Sequence, residues 1–176
     1  DQRQGLIAKA AGGTLFLDEI GDISPAAQQL LLRLRQEKEY YRLGSDMLYQ
    51  SNARIVTASN RNLKALVSAG TFRQDLFHRL AVHHIQLPPL RERKGDIPFL
   101  AEHFARQAAA ALGKEPPELT VELKLALSGA DFPGNIRELI NIIRHAVACN
   151  VSGVLTISDF PGLAPVAARK VQGSMQ

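Results

Sequence analysis

One stretch constrains this chain more than any other: Gly12-Gly13-Thr14-Leu15-Phe16-Leu17-Asp18-Glu19-Ile20. Paired glycines stop whatever precedes them, an apolar run follows, and the run ends in two adjacent carboxylates. Thr14 to Leu17 are mostly apolar, which predicts a strand buried on both faces of a parallel sheet. Ligands of such sheets bind beyond the carboxyl ends of the strands, where Asp18 and Glu19 fall. Two acids at a buried strand end repel each other and lose hydration. A divalent cation or a positioned water makes that arrangement tolerable. The bland alternative is a strand that ends in two solvated turn acids.

The 176 residues suffice for one domain, or one and a fraction. With 45% apolar and 22% charged residues the composition is that of a soluble globular protein. A net charge of +4 is too mild to argue for nucleic acid as a partner. Cys149 stands alone, which excludes an internal disulfide and a thiolate metal cluster. On an apolar-striped helix it is expected to be a buried, inert thiol. No apolar run is long enough to span a membrane, and Asp1-Gln2-Arg3-Gln4 does not open a signal peptide, so a cytoplasmic location is expected. His78, His83, His84, His103 and His145 show no metal-ligand spacing beyond one adjacent pair, which a strand would send to opposite faces.

Further along, Gly5 to Ala11 reads as a short helix. Ser24-Pro25 opens the next, with Ser24 as N-cap and Leu30, Leu31, Leu34 and Ala27 as its apolar stripe. Tyr40 to Asn52 reads as a hairpin turning at Gly44-Ser45-Asp46. Arg54 to Ser59 reads as a second buried strand, ending at Asn60. Leu63–Ala69 and Phe72–Leu80 read as short helices, and Val82–Leu87 as a third strand closed by Pro88-Pro89. After Gly95 the pattern becomes helical. Asp96 caps one helix, ended by Gly113, and Thr120 caps another. Asn135-Ile136-Arg137-Glu138 has the reciprocal capping form, with Asn135 at the cap.

These pieces resemble the AAA+ ATPase domain of bacterial sigma-54-dependent transcription activators. The likeness runs from about Gln4 to Pro161. It is carried by Gly12 to Asp22, in the form of an acidic Walker B strand, and by Ala58-Ser59-Asn60-Arg61. Further support comes from Phe72-Arg73-Gln74-Asp75-Leu76-Phe77-His78-Arg79-Leu80, Leu87-Pro88-Pro89-Leu90-Arg91-Glu92-Arg93 and Phe132-Pro133-Gly134-Asn135-Ile136-Arg137-Glu138-Leu139. The resemblance implies that Asp18 organises Mg2+ through water and that Glu19 polarises an attacking water. It implies that Asn60 is the first sensor of ATP, with Ser59 where the family usually has threonine. Arg73 and Arg79 match its arginine fingers and Arg137 its second sensor. The bland readings stand beside these. Asn60 could be a turn residue, Arg73 or Arg79 could simply pair with Asp75 or a neighbour, and Arg137 could pair with Glu138. Arg91 and Arg93 read as a structural clamp or subunit contact.

The sequence has no Gly-x-x-x-x-Gly-Lys-Ser/Thr loop. In the family that loop precedes the acidic strand, as does the loop that touches sigma-54, and a DNA-binding helix-turn-helix follows the lid. The resemblance therefore implies an α/β fold with an incomplete P-loop-type parallel sheet, lacking its central phosphate-loop strand, followed by an all-helical lid. The expected division is 1–95 for the α/β part, 96–165 for the lid and 166–176 for a flexible tail. The third strand is then expected to lack its neighbour, leaving the α/β part repacked or completed by another chain. The intact protein is expected to form a homo-oligomeric ring, hydrolyse ATP and remodel sigma-54 RNA polymerase holoenzyme, with DNA bound through the absent domain. The chain alone is expected to be inactive. An alternative is a non-catalytic AAA+-derived oligomerisation or regulatory module. A DNA-reading role for the helix at 136–149 is disfavoured, because beyond Arg137, Arg144 and His145 it is largely apolar.

Overall fold

Parallel pairing of two four-residue strands organises the first half of the chain. A computed structural model describes residues 5–42 and 46–163. Gly44 and Ser45 of the expected turn, and the expected tail at 166–176, lie outside the described residues. The chain divides after Ile85 into two units, each with its own apolar core.

In the first unit α1 (Leu6–Lys9) is followed by Gly12, whose φ of +75° suits glycine and whose N–H donates to Asn52 Oδ1 at 2.7 Å. Next come β1 (Thr14–Leu17), a 3-10 turn over Ile20–Asp22, and α2 (Pro25–Glu37). An antiparallel hairpin of β2 (Glu39–Tyr41) and β3 (Leu48–Gln50) leads to β4 (Arg54–Thr57), α3 (Leu63–Ser68) and α4 (Gln74–Leu80). β1 pairs with β4 in parallel, Leu15 opposite Ile55 and Leu17 opposite Thr57. Alternation turns Leu15, Leu17 and Ile55 toward the core built by Leu31, Leu34, Phe72 and Leu76.

Three expectations are corrected here. β1 is buried on one face only: Phe16 is 59% and its partner Val56 36% exposed, because among the described residues no element covers that side. In α2 the stripe shifts, with Leu30 at 61% exposure facing out while Gln28, Leu31, Leu32 and Leu34 are buried. Residues 82–87 form no strand. A strand exists through its ladder, and here Val82, Ile85 and Leu87 are 65%, 85% and 85% exposed without one.

The second unit packs α5 (Ile97–Ala111), α6 (Val121–Gly129) and α7 (Asn135–Cys149) around Ile97, Ala101, Leu123, Leu127, Leu139 and Ile143. A small parallel bridge joins β5 (Glu118–Leu119) to β6 (Val154–Leu155). The Thr120 hydroxyl accepts the Leu123 N–H at 3.3 Å, the expected cap. The α7 cap falls one residue earlier than expected. The Gly134 N–H donates to Glu138 Oε2 at 2.8 Å, while Asn135, at φ +52°, accepts the Leu90 N–H on its Oδ1 at 2.8 Å. At the other end Lys114 Nζ donates to the carbonyls of Val147, Ala148 and Asn150 at 3.2, 2.9 and 3.2 Å. These are the carbonyls a helix terminus leaves unpaired. Cys149 is exposed, not buried, its Sγ 3.9 Å from His145 Nε2, because it sits on the outer side of the last turn. Among the described residues no helix is long and apolar enough to cross a membrane.

Candidate functional site: a strand-end acid pair beside an asparagine

The parallel register decides what meets at the strand ends. The Ala58 N–H donates to the Leu17 carbonyl at 2.9 Å, and the Ile20 N–H donates to the Ala58 carbonyl at 2.9 Å. Asp18 and Glu19 therefore leave β1 directly alongside Ala58 and Ser59, one residue before Asn60. Both acids and Asn60 are exposed. The expectation of desolvated carboxylates is thus corrected: the two acids project past the last rung of the ladder, where nothing described covers them.

The acidic turn is locally strained. Asp18 Oδ1 accepts the Glu19 N–H at 2.8 Å, and Glu19 takes a left-handed conformation, φ 54° and ψ 40°. That bend redirects the chain into the 3-10 turn, which buries Ile20 at 2% exposure as an anchor. The Glu19 carboxylate and the Asn60 amide carry no hydrogen bond among the described residues, and so are free for an external partner.

Residues that lie within the quoted sequence motifs, without this structural task being given to them there, hold the turn. Ser59 Oγ accepts the Arg61 N–H at 3.1 Å and donates to the Arg61 carbonyl at 3.2 Å, closing a tight loop about Asn60. Gly21 packs against that loop so closely that a Cβ there would lie 2.9 Å from Ser59 Oγ and 3.2 Å from Arg61 Cβ. Arg61 Nη1 donates to Asp22 Oδ1 at 2.7 Å. Gly21 in the Ile-Gly-Asp after the acids was the available signal, since a residue without a Cβ permits a close approach of backbone.

Arg73 and Arg79 lie on or beside α4, in the same unit. Arg73 is its N-cap, and the guanidinium forks onto Asp75, Nε to Oδ1 at 3.0 Å and Nη2 to Oδ2 at 2.7 Å. This bond from Arg73 holds the Asp75 carboxyl below its ordinary range. The fork occupies one side of the guanidinium and leaves Nη1 without a hydrogen bond among the described residues. Arg79 is on the last turn, exposed, with no ion pair among the described residues. The start of α4 is fixed by a buried amide that sequence reasoning assigned to no role. Gln28, 2% exposed, donates from Nε2 to the carbonyls of Thr71 at 3.0 Å and Ile23 at 3.3 Å, and accepts the Arg73 N–H on Oε1 at 2.9 Å. Arg137 belongs to the second unit, where it is the third residue of α7, exposed and without an ion pair among the described residues. Glu138 is not its partner, being engaged with Gly134.

Among the described residues no group of three or more His, Cys, Asp or Glu side chains could hold a metal by itself. Mg2+ does not need such a cage. It keeps several waters and takes one or two carboxylates together with substrate phosphates. Asp18, with Oδ1 bound to a backbone N–H and Oδ2 open, fits that kind of partial ligation.

Parallel strands that end in an acid pair beside an asparagine, with a helical lid further along the chain, define the AAA+ class. The sigma-54 interaction domain family matches residues 1–86 and the AAA+ ATPase lid domain family matches residues 91–172, so the chain belongs to the sigma-54 interaction family of AAA+ proteins. It is 46% identical over 160 residues to the DNA-binding transcriptional regulator NtrC of Salmonella typhimurium, covering 91% of this chain and 34% of the relative. It is 43% identical over 159 residues to the regulatory protein AtoC of Escherichia coli, covering 90% and 34%. Among solved structures it is similar to NtrX from Brucella abortus in complex with ATP. There the TM-score is 0.85 at 32% identity, covering 92% of this chain and 37% of that one. The same protein in complex with ADP gives a TM-score of 0.83, also at 32% identity, covering 90% and 37%. The chain thus spans about a third of the length of the relatives it matches.

Proposed function

We propose that this chain supplies the acidic strand, first sensor, arginine fingers and lid of a bacterial activator that hydrolyses ATP as a ring and remodels sigma-54 RNA polymerase in the cytoplasm. The observation that carries this reading is the β1–β4 register, which brings Asp18 and Glu19 level with the segment entering Asn60.

In this reading each residue has a physical task. Bound MgATP supplies the phosphoryl group and the charge that the pocket must match. Asp18, with one carboxylate oxygen open, would hold a Mg2+ ion, which would supply charge neutralisation for the phosphates. Glu19, with an unengaged carboxylate, orients a water and takes up its proton. Asn60 offers an uncharged amide that can donate to a phosphate oxygen and accept from the same water. Arg73 and Arg79 present guanidinium groups to a neighbouring subunit, where planar, permanently charged donors suit spread negative charge. Arg137 plays the corresponding part from the lid. In this reading a phosphate-loop strand extends the sheet at its edge, and the apolar side of β1 and β4, where Phe16 and Val56 are exposed, packs against further elements of the AAA+ domain.

The test is steady-state hydrolysis by the full-length protein carrying Glu19→Gln or Asn60→Ala. Each variant is expected to bind MgATP and to lose about 100-fold or more in kcat. Turnover at the wild-type rate in both variants overturns the proposal.

A further inference from the structure

Asn60 and Glu19 belong to different loops, 41 positions apart in the chain, and loops drift unless something ties them. The backbone bonds between the two segments end with the Ile20 N–H on the Ala58 carbonyl, which spans Asp18 and Glu19 but stops two residues short of Asn60. Beyond it the two loops touch through a small set of contacts. Gly21 packs on Ser59 and Arg61 at a distance that excludes a Cβ. Ser59 bonds both the N–H and the carbonyl of Arg61, and the Arg61 guanidinium reaches across to Asp22 at 2.7 Å. These ties bracket the functional groups. Asp22 lies three residues after Glu19 and its N–H donates to the Glu19 carbonyl at 3.0 Å, while Arg61 follows Asn60 directly. Asn60 is left with a fixed backbone on either side and an unengaged amide.

Stability is a poor explanation for the ion pair. Its side chains are 49% and 50% exposed, and pairs in that setting contribute little to folding. What the pair does fix is the separation of two loops, and misplacement of a reacting group by about 1 Å can cost about 100-fold in rate.

We propose that Asp22 and Arg61 are positioning residues that strap the Asn60 loop to the Glu19 turn, so that amide and carboxylate face one reacting centre at a set distance. This rests on the hydrolytic reading of Glu19 and Asn60 given above. Neither Asp22 nor Arg61 touches the reacting atoms. They act through the backbone of the residues that do.

The experiment is a charge exchange in the full-length protein. kcat and KM for MgATP, assembly by light scattering and melting temperature are read for Asp22→Arg, Arg61→Asp and the double exchange, alongside Asp22→Asn and Arg61→Lys. Each single reversal is expected to lower kcat by about tenfold or more, with assembly and melting temperature close to wild type. The double exchange restores most of the lost kcat, and Arg61→Lys keeps more activity than Arg61→Asp. Wild-type kcat in the single variants, or a double exchange no better than either single, sinks the proposal. Should the reversals not fold, Asp22→Asn decides: a kcat equal to wild type counts against the strap. Glu19→Gln is measured in parallel. If it hydrolyses normally, the hydrolytic reading has failed; if it is inactive while the strap variants are normal, only the strap has.

Discussion

Gln28 Oε1 accepts the backbone N–H of Arg73 at 2.9 Å, joining α2 to the cap of α4 across 45 positions of sequence. The same amide donates to Thr71 and Ile23, so all three of its hydrogen bonds end on backbone. Replacing it with leucine keeps the volume but strands three polar groups in a buried setting. Gln28→Leu is expected to lower stability by about 2–3 kcal/mol, read by urea unfolding. A loss of less than about 0.5 kcal/mol means that water replaces the amide there.

Asn135 separates two contributions at the start of α7. Its left-handed backbone favours glycine over alanine, and its side chain bonds the Leu90 N–H. Asn135→Ala loses both and is expected to cost about 2 kcal/mol, whereas Asn135→Gly loses the bond alone and costs about 1. Chemical denaturation of the two variants gives the order, and alanine equal to or better than glycine contradicts it.

Asp159 sets a pH dependence. Its Oδ2 accepts the Thr156 N–H at 2.8 Å and the Thr156 hydroxyl at 3.1 Å, and the backbone bond chiefly holds its carboxyl below the ordinary range. A carboxylate depressed on folding contributes stability that is present above the unfolded pKa and lost as pH falls through the folded one. Asp159→Asn is therefore expected to lower the melting temperature at pH 7, with the gap to wild type closing as the pH drops below the usual aspartate range. A gap that stays constant with pH sinks this assignment.

Cys149 should behave as an open thiol. It is exposed at the end of α7, so Ellman's reagent is expected to modify the native chain to one equivalent, at a rate close to that of the urea-unfolded chain. Protection of 100-fold or so means that the thiol is covered.

Local chemistry made much of this legible. The Ser24 and Thr120 caps and the hairpin follow from turn residues and short-range periodicity, while the parallel meeting of β1 with β4 was legible only through the family resemblance. Errors arose where the outcome depends on a distant partner. The run at 82–87 is apolar enough for a strand, but a strand needs a neighbour, and the sequence of the segment cannot supply one. Phe16 looked buried because its own residues are apolar, while burial is decided by what packs on top. At the site, the acids and Asn60 were visible as strand-end polar residues. Gln28, Gly21 and the Asp22–Arg61 pair were not, because each acquires meaning only through contacts more than 35 positions away. The Asn135 cap was misplaced by one residue for the same reason: Leu90 claims its side chain.

The bare side of the β1–β4 pair also governs how this polypeptide can be handled. Phe16 and Val56 sit side by side on it, next to ladder edges that still have donors and acceptors to offer. Self-association of concentrated samples through that patch is the expected consequence, and a charged replacement for Phe16 is expected to raise the solubility limit.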